Sequence, residues 1–432
     1  MKKTISTKLN IIIFCLATLI LCSGCNKKES LPQPTKEPQI ITINNENGDY
    51  VRVQEEEVVE EEPEVQEREY IYDAVNKIYS RDTVDPDRTV LRFVGDICFY
   101  DQFSLMSEYR NRGEDINMCI DASLLDLMRG ADIFMANNEF AYSERGTPIE
   151  GKTYAFRSKP SNVKILNDMG VDIVSLANNH AYDWGPDALI DTLDTLNEAR
   201  VPFVGAGREI TEAMRPVYFM MPNIKLSYVS ATQIERLGNP DTKEATATSP
   251  GVLRTLDPTK ACQVIAEAKA NSDFCIMYVH WGSENTDLVE ASQRDLAKKY
   301  VEAGADLIIG DHSHCLQGID YIDDVPVFYS LGNYWFNSKT VDTGIAEIVL
   351  DNSASIESVR FIPAIQRGCY THEVDSADST RILEYLQGIS DYAEVDSSTG
   401  NITKSDVNHN TQGGMNTSPT KKTEPVEGEV QQ

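Results

Sequence analysis

Residues 304–314, GADLIIGDHSH, constrain this chain most: an aliphatic run sized for a buried strand stops abruptly at side chains able to bind a metal. Residues 130–139 (GADIFMANNE) and 170–180 (GVDIVSLANNH) share the plan. In each, a Gly closes a helix-like stretch, an Asp follows after one residue, an aliphatic run comes next, and polar residues end it. A chain built this way delivers ligands from several strands to one sheet edge, where α/β proteins place their active sites.

Between residues 89 and 366 short aliphatic runs alternate with amphipathic stretches, which predicts an α/β layered fold. Strands are expected at 90–98, 132–136, 172–176, 203–204, 274–280, 306–309 and 327–330. Helices are expected at 122–129, 161–169, 186–199, 258–270 and 293–303. Gly130, Gly170 and Gly304 can each take the left-handed conformation that ends a helix, while Ser161 and Pro186 suit helix starts. Residues 217–221 and 226–230 flank Pro222 and Asn223 as a hairpin would, and 345–350 with 358–362 form a second antiparallel pair. A four-layer α-β-β-α sandwich, two mixed sheets with helices outside, accommodates both kinds of segment.

The two ends of the 432-residue chain are poor material for a core. Lys2, Lys3 and Lys8 precede an apolar run over 11–22 that has the size of a signal-peptide core. Ser23 and Gly24 before Cys25 resemble a bacterial lipobox, in which Cys25 would carry the lipid. Nine Glu residues fall between Glu55 and Glu69, a charge run that reads as a solvated spacer. As flexible chain, residues 26–85 would span roughly 40–50 Å; a weak apolar stripe over 64–79 also admits a helix. The expected organisation is a signal peptide at 1–25, an acidic stalk at 26–85, the folded domain at 86–372, a helical segment at 373–396 and a disordered tail at 397–432. The folded part is then expected on the extracellular face of the cytoplasmic membrane.

A formal net charge of −29 argues against nucleic acid and against a patch for anionic lipid headgroups. Beyond Cys25 the cysteines are Cys98, Cys119, Cys262, Cys275, Cys315 and Cys369, too widely and irregularly spaced for a small disulfide framework, so no essential disulfide is expected. No Gly-rich Lys loop for cradling phosphates is present, so the chain does not read as a synthetase.

Side chains alternate along a strand, so His312 and His314 are expected to point the same way and can share a metal site. His280 ends another aliphatic run. Asp96 follows Gly95, which gives backbone room, and Asn179 with His180 ends a third run. Four of the six histidines occupy such positions, a distribution that chance explains poorly. Asn178 on its own reads as a turn residue and Glu139 as a cap. Cys98 reads as a buried thiol, although it shares the face of Asp96 and can approach a metal there.

The ordered series VGDICF, NNEFAY, SLANNHAYDWG, VHWGSE, GADLIIGDHSHCLQGID and YSLGNYWF resembles the CapA family of capsule and poly-γ-glutamate biosynthesis proteins. That family is similar in turn to calcineurin-like metallophosphoesterases, whose two-sheet sandwich agrees with the segment pattern. The resemblance implies a divalent metal site of one or two ions, manganese, zinc or iron, with Asp96, Glu139, Asn179, His280, His312 and His314 as ligands. His180 would protonate a leaving oxygen or hold the scissile group, and Asp96 would join it in catalysis. Cys98, Asn178, Glu284 and Asn333 fall beside the metal or substrate.

Two residues depart from the phosphoesterase pattern. Cys98 stands where Asp-x-His is usual, and Glu139 replaces a bridging Asp. The function expected is a lipid-anchored part in making, exporting or anchoring an anionic surface polymer, with a synthesis complex as partner. The alternatives are a surface phosphoesterase and a non-catalytic module stapled by metal. Arg157, Lys159 and Lys164 are candidates for a basic groove that meets the polymer.

Overall fold

A computed structural model describes residues 40–44, 50–54, 71–234 and 242–410. The signal segment with Cys25, the glutamate run and the chain beyond residue 410 lie outside the described residues. The chain divides into two units, residues 1–68 and 69–432. In the first, Ile40–Asn44 pairs antiparallel with Tyr50–Gln54. At residues 40–44 and 50–54 this hairpin departs from the disordered stalk expected over 26–85. Both segments are rich in branched residues and an Asn-Gly pair lies between them, a hairpin signal that the neighbouring charge obscured.

Two large mixed sheets make the second unit. One runs Phe203–Val204, Ile173–Ser175, Ile133–Asn138, Arg88–Ile97, Val341–Asp351, Ile356–Gln366, Asn401–Lys404, Ala393–Val395. Its first four strands are parallel and the remaining pairings antiparallel. The other runs Ile319–Ile322, Val325–Phe328, Leu307–Asp311, Phe274–His280, Lys225–Thr232, Val217–Met220, Ile78–Ser80, Tyr72–Asp73, and is parallel from Val325–Phe328 to Lys225–Thr232.

The period of two sorts these strands between cores. Cys275, Met277 and Val279 pack with Val264, Ile265, Leu296 and Ala297 of helices Thr259–Ala270 and Ala291–Ala303. Their neighbours Ile276 and Tyr278 join a cluster that takes Leu91, Phe93, Ile133 and Met135 from the other sheet. Phe134 and Ala136 turn instead to helices Ala122–Arg129, Lys164–Met169 and Pro186–Glu198, which bury Leu125, Leu166 and Leu193. Each large apolar side chain so enclosed contributes about 1.5–3 kcal/mol. Deep in the shared cluster the Tyr278 hydroxyl donates to the Val94 carbonyl at 2.8 Å, joining the two sheets near their ligand-bearing ends.

One close approach positions the site. A Cβ at Gly95 would overlap the Gly332 carbonyl oxygen. With no side chain there, the Asp96 N–H donates to that oxygen at 3.0 Å, and Asn333–Trp335 lies parallel to the end of Arg88–Ile97 with Asn333 opposite Asp96.

Three boundaries need correction. The folded body takes in residues ahead of 86, because Tyr72–Asp73 and Ile78–Ser80 complete a sheet edge, and no helix forms over 71–79; the rest of the 64–79 stripe lies outside the described residues. Lys77 anchors this edge: it is buried and gives its ammonium to the Phe203 carbonyl at 3.2 Å. At the other end, helix Ser376–Ile389 and strands Ala393–Val395 and Asn401–Lys404 belong to the same body, with Ile382, Leu383, Val395 and Ile402 in the shared core. Within the tail expected from 397, Asn401–Lys404 is strand; too few apolar residues mark it, because only Ile402 faces inward. Finally, Gly170 and Gly304 are left-handed at φ 82° and 111°, whereas Gly130 sits at φ −90°.

Candidate metal centre

Strand ends from both sheets converge. Asp96 comes from Arg88–Ile97, Glu139 follows Ile133–Asn138, Asn178 to His180 follow Ile173–Ser175, His280 closes Phe274–His280 and Asp311 closes Leu307–Asp311. Among the described residues three groups could hold an ion: Glu139 with His280 and His312, Asp96 with Glu139 and His314, and Asp96 with His280 and Asp311. Within each, the ligand atoms lie no more than 4.8 Å apart. Glu139 is common to the first two groups, so one carboxylate can serve two positions.

Hydrogen bonds fix the members. The His280 Nδ1 faces Asp311 Oδ1 at 2.8 Å, and its Nε2 meets the Asn179 amide oxygen at 2.6 Å and Glu139 Oε1 at 3.5 Å. His314 Nδ1 contacts Asn333 Oδ1 at 2.8 Å and Asp96 Oδ2 at 3.3 Å. The Asn137 amide donates to Asp96 Oδ1 at 2.9 Å and itself accepts from Asn178 Nδ2 at 2.9 Å. Asn178 also donates to the Asn138 carbonyl and accepts from the His180 N–H, so it braces the loop rather than facing an ion.

Asp96 Oδ2 has only the 3.3 Å approach of His314, and four other buried polar atoms here have no hydrogen-bond partner: both Glu139 oxygens, Asp311 Oδ2 and His312 Nδ1. An unpartnered buried polar group costs about 1–3 kcal/mol, and more when charged, so several at one spot call for a shared partner. A carboxylate, amide and imidazole set suits a divalent cation without selecting among manganese, zinc and iron.

Charge tells the same story. Burial, then the nearby Asp96, Asp311 and Glu284 carboxylates, hold Glu139 well above the usual carboxylate range. Burial and Asp96 push Asp311 up likewise. For Asp96 burial acts upward, but the hydrogen bond and charge of His314 carry it below its ordinary value. Burial lowers His280 to about 3 and takes His312 well down, so both rings are neutral and have a lone pair to give. His314 alone is raised, because Asp96 outweighs burial.

His180 stands to one side. Its Nδ1 meets Asp183 Oδ2 at 2.7 Å, its Nε2 is 3.8 Å from Glu139 Oε1, and its ring stacks on Phe156 at 4.1 Å between centroids. Lys152 binds both the Asp183 carboxylate and the Asn179 carbonyl. Burial lowers the His180 pKa although Asp183 opposes it.

The expectation that His312 and His314 point the same way by strand alternation is corrected. The strand ends at Asp311, and φ values of 90° and 57° put both histidines on a turn. Their ring centroids lie 5.8 Å apart and they enter different triads. Cys98 is enclosed in the helix-side core, where burial raises its thiol, and it belongs to none of the three groups. Glu284 is exposed and acts on Glu139 and His314 by charge. Of the basic trio, Arg157 lies over the Trp184 ring at 3.5 Å and Lys164 pairs with Glu114 at 2.6 Å, leaving Lys159 exposed.

Sequence reasoning passed over Asp311, Asn137, Asp183 and Lys152. The first lay within the opening motif, hidden by the attention given to its histidines. Asn137 and Asp183 sit in motifs already noted, but which side chain braces which is decided by tertiary approach.

Relatives in sequence carry telling names. PGA biosynthesis protein CapA of Bacillus subtilis (strain 168) is 29% identical over 285 residues, covering 65% of this chain and 71% of that one. Capsule biosynthesis protein CapA of Bacillus anthracis is 32% identical over 244 residues, covering 54% and 58%. A probable polyglutamine synthesis accessory protein of Mycobacterium tuberculosis (strain ATCC 25618 / H37Rv) is 29% identical over 209 residues, covering 47% and 55%. The alignments therefore span between 55% and 71% of these relatives' own length. Among solved structures, TT1561 of Thermus thermophilus overlaps at 10% identity and a TM-score of 0.34, covering 62% of this chain and 97% of that one, too loosely to bear on the fold. The family model described as "Bacterial capsule synthesis protein PGA_cap" matches residues 90–338, more than half of the chain, which therefore belongs to that family, the CapA family its motifs resemble.

Proposed function

We propose that this protein takes part in the synthesis, export or anchoring of a capsule or poly-γ-glutamate polymer, working on the extracellular face of the cytoplasmic membrane from a lipid on Cys25. One or two divalent ions would be held by Asp96, Glu139, Asn179, His280, His312 and His314, with Asp311 orienting His280 through its Nδ1. The observation that carries the metal reading is Glu139, common to two triads and with neither oxygen otherwise partnered. Family membership carries the polymer reading. The three hydrophobic clusters, one between the sheets and one on each helix-bearing side, support four layers.

A bound cation would supply Lewis-acid polarisation of an oxyanion oxygen. The chain's own groups do the rest. Buried carboxylates and neutral imidazoles fix the position, and acidic surroundings leave the strand-end cluster and the Lys159 side as the contact for a polyanion. The test is complementation in a polymer-producing host that lacks its own copy. The wild-type chain restores surface polymer, and Glu139→Ala, made at equal level, does not. Full restoration by Glu139→Ala would sink the metal-dependent role.

A second reading, a metal-dependent phosphoesterase, is favoured by one feature. His180 has its Nδ1 held by Asp183 and its Nε2 turned toward Glu139, the arrangement of a general acid beside a metal. Turnover of a generic phosphodiester by the purified chain with added manganese would support it, and tight metal binding without turnover would exclude it.

A further inference from the structure

Two cysteines far apart in sequence lie on adjoining segments of the fold, and neither belongs to the three metal-competent groups. Cys119 ends the short helix Ile116–Met118, and Cys369 occupies a left-handed turn at φ 64°. The Thr371 N–H donates to the Cys119 carbonyl at 3.0 Å and the Asp121 N–H to the Thr371 carbonyl at 3.0 Å, a parallel bridge that locks the two segments side by side. Both side chains enter the same hydrophobic cluster, at 0% and 3% exposure. One guanidinium spans them: Arg112 Nη1 lies 3.9 Å from Cys119 Sγ and 2.9 Å from the Cys369 carbonyl oxygen.

We propose that Cys119 and Cys369 form a reversible disulfide that clips the turn before Thr371–Glu373 to the segment ahead of helix Ala122–Arg129. The inference rests on the reading that the domain works outside the cytoplasm, where an oxidant is at hand. Two thiols lose two protons and two electrons and one S–S bond forms. The acceptor is a disulfide, on an oxidoreductase or a low-molecular-weight thiol, and it leaves as two thiols. Arg112 stabilises the attacking Cys119 thiolate. Burial holds both thiols above their ordinary range, with Arg112 opposing it at each.

The clip reaches the metal cluster by a short path. The Trp335 indole donates to the Cys369 carbonyl at 3.5 Å, and Thr371 Oγ1 donates to the Tyr334 carbonyl. Both belong to the strand Asn333–Trp335, whose Asn333 holds His314. Oxidation would therefore stiffen the strand that sets one metal ligand. Spacing could not reveal the pair, because most of the α/β body folds between its members.

The full chain, unfolded and reduced, is refolded with a glutathione redox buffer, alkylated and digested without reductant. The expected result is one cross-linked peptide joining Cys119 to Cys369, absent from Cys119→Ser and Cys369→Ser, together with a thermal midpoint that falls by a few degrees on reduction. Full alkylation of both thiols, or glutathione on each with no joined peptide, overturns the proposal. The same mapping on membrane and cytoplasmic fractions of the host separates the two ideas. A cross-link that forms on refolding supports the pair even if the chain proves cytoplasmic, a result that overturns only the location.

Discussion

Replacing Glu139 by Gln should move stability in opposite directions with and without metal. In the metal-free fold Glu139 is fully buried, neither oxygen has a donor, and its pKa lies well above 4.5. A carboxyl raised on folding binds more protons in the native than in the unfolded state, so stability falls as pH rises from 4.5 toward the folded value. Each unit costs about 1.4 kcal/mol, which caps the penalty near 3 kcal/mol at pH 7. Gln has no charge to bury, and its amide can donate to the unpartnered Asp311 Oδ2. Metal-free Glu139→Gln should gain up to about 3 kcal/mol at pH 7, a rise of roughly 2 °C in melting midpoint per kcal/mol. With metal the order reverses, because both triads lose their shared ligand. A hundredfold fall in affinity removes about 2.7 kcal/mol of ligand-linked stabilisation. Calorimetric melting of both chains in chelator and in excess manganese or zinc, at pH 5 and 7, reads both arms. A variant less stable than wild type in chelator, or one whose midpoint still climbs with metal as wild type does, would refute the reasoning.

Other outcomes follow from single side chains. His312→Ala should change metal-free stability by less than about 1 kcal/mol, since its Nδ1 has no partner to lose, yet lower affinity for zinc or manganese strongly in titration calorimetry. Asp183→Asn should leave the metal-dependent rise in melting midpoint intact while reducing any phosphodiester turnover by roughly 100-fold, because it touches His180 and none of the three ligand groups. Gly95→Ala should cost about 1–3 kcal/mol in chemical denaturation and loosen metal binding, as the Asp96 and Asn333 strands are pushed apart. Lys77, held down to about 7 by burial against an ordinary 10.5, binds fewer protons folded than unfolded across that interval, so stability should rise with pH there. Lys77→Met should flatten that rise in denaturation curves taken at pH 7 and 9.5.

The parallel strands were legible because each is a compact aliphatic run punctuated by a Gly and by polar ends: Phe274–His280 and the helix Ala122–Arg129 appear at the positions expected from pattern alone. The clustering of Asp96, Glu139, His280 and the two histidines after Asp311 was legible for the same reason, since strand ends bring such residues together. What escaped was decided at long range. Ile402 is one apolar residue in a polar stretch and finds its place only beside Val359 and Val395. Lys77 and Tyr79 look like linker residues until Phe203 and Phe219 come up beside them. The division of His312 and His314 between two triads follows from a left-handed turn that the alternation rule could not foresee.

The approach of Gly95 to Gly332 has a consequence for timing. Asp96 belongs to an early strand, while Asn333, which holds His314, arrives only after most of the chain has been made. Until that late strand docks, the group of Asp96, Glu139 and His314 lacks a fixed geometry, so a cation would not be captured there in its final form as the chain emerges. Any ion held there would then be drawn from the metals available where the last strand closes, not where synthesis begins.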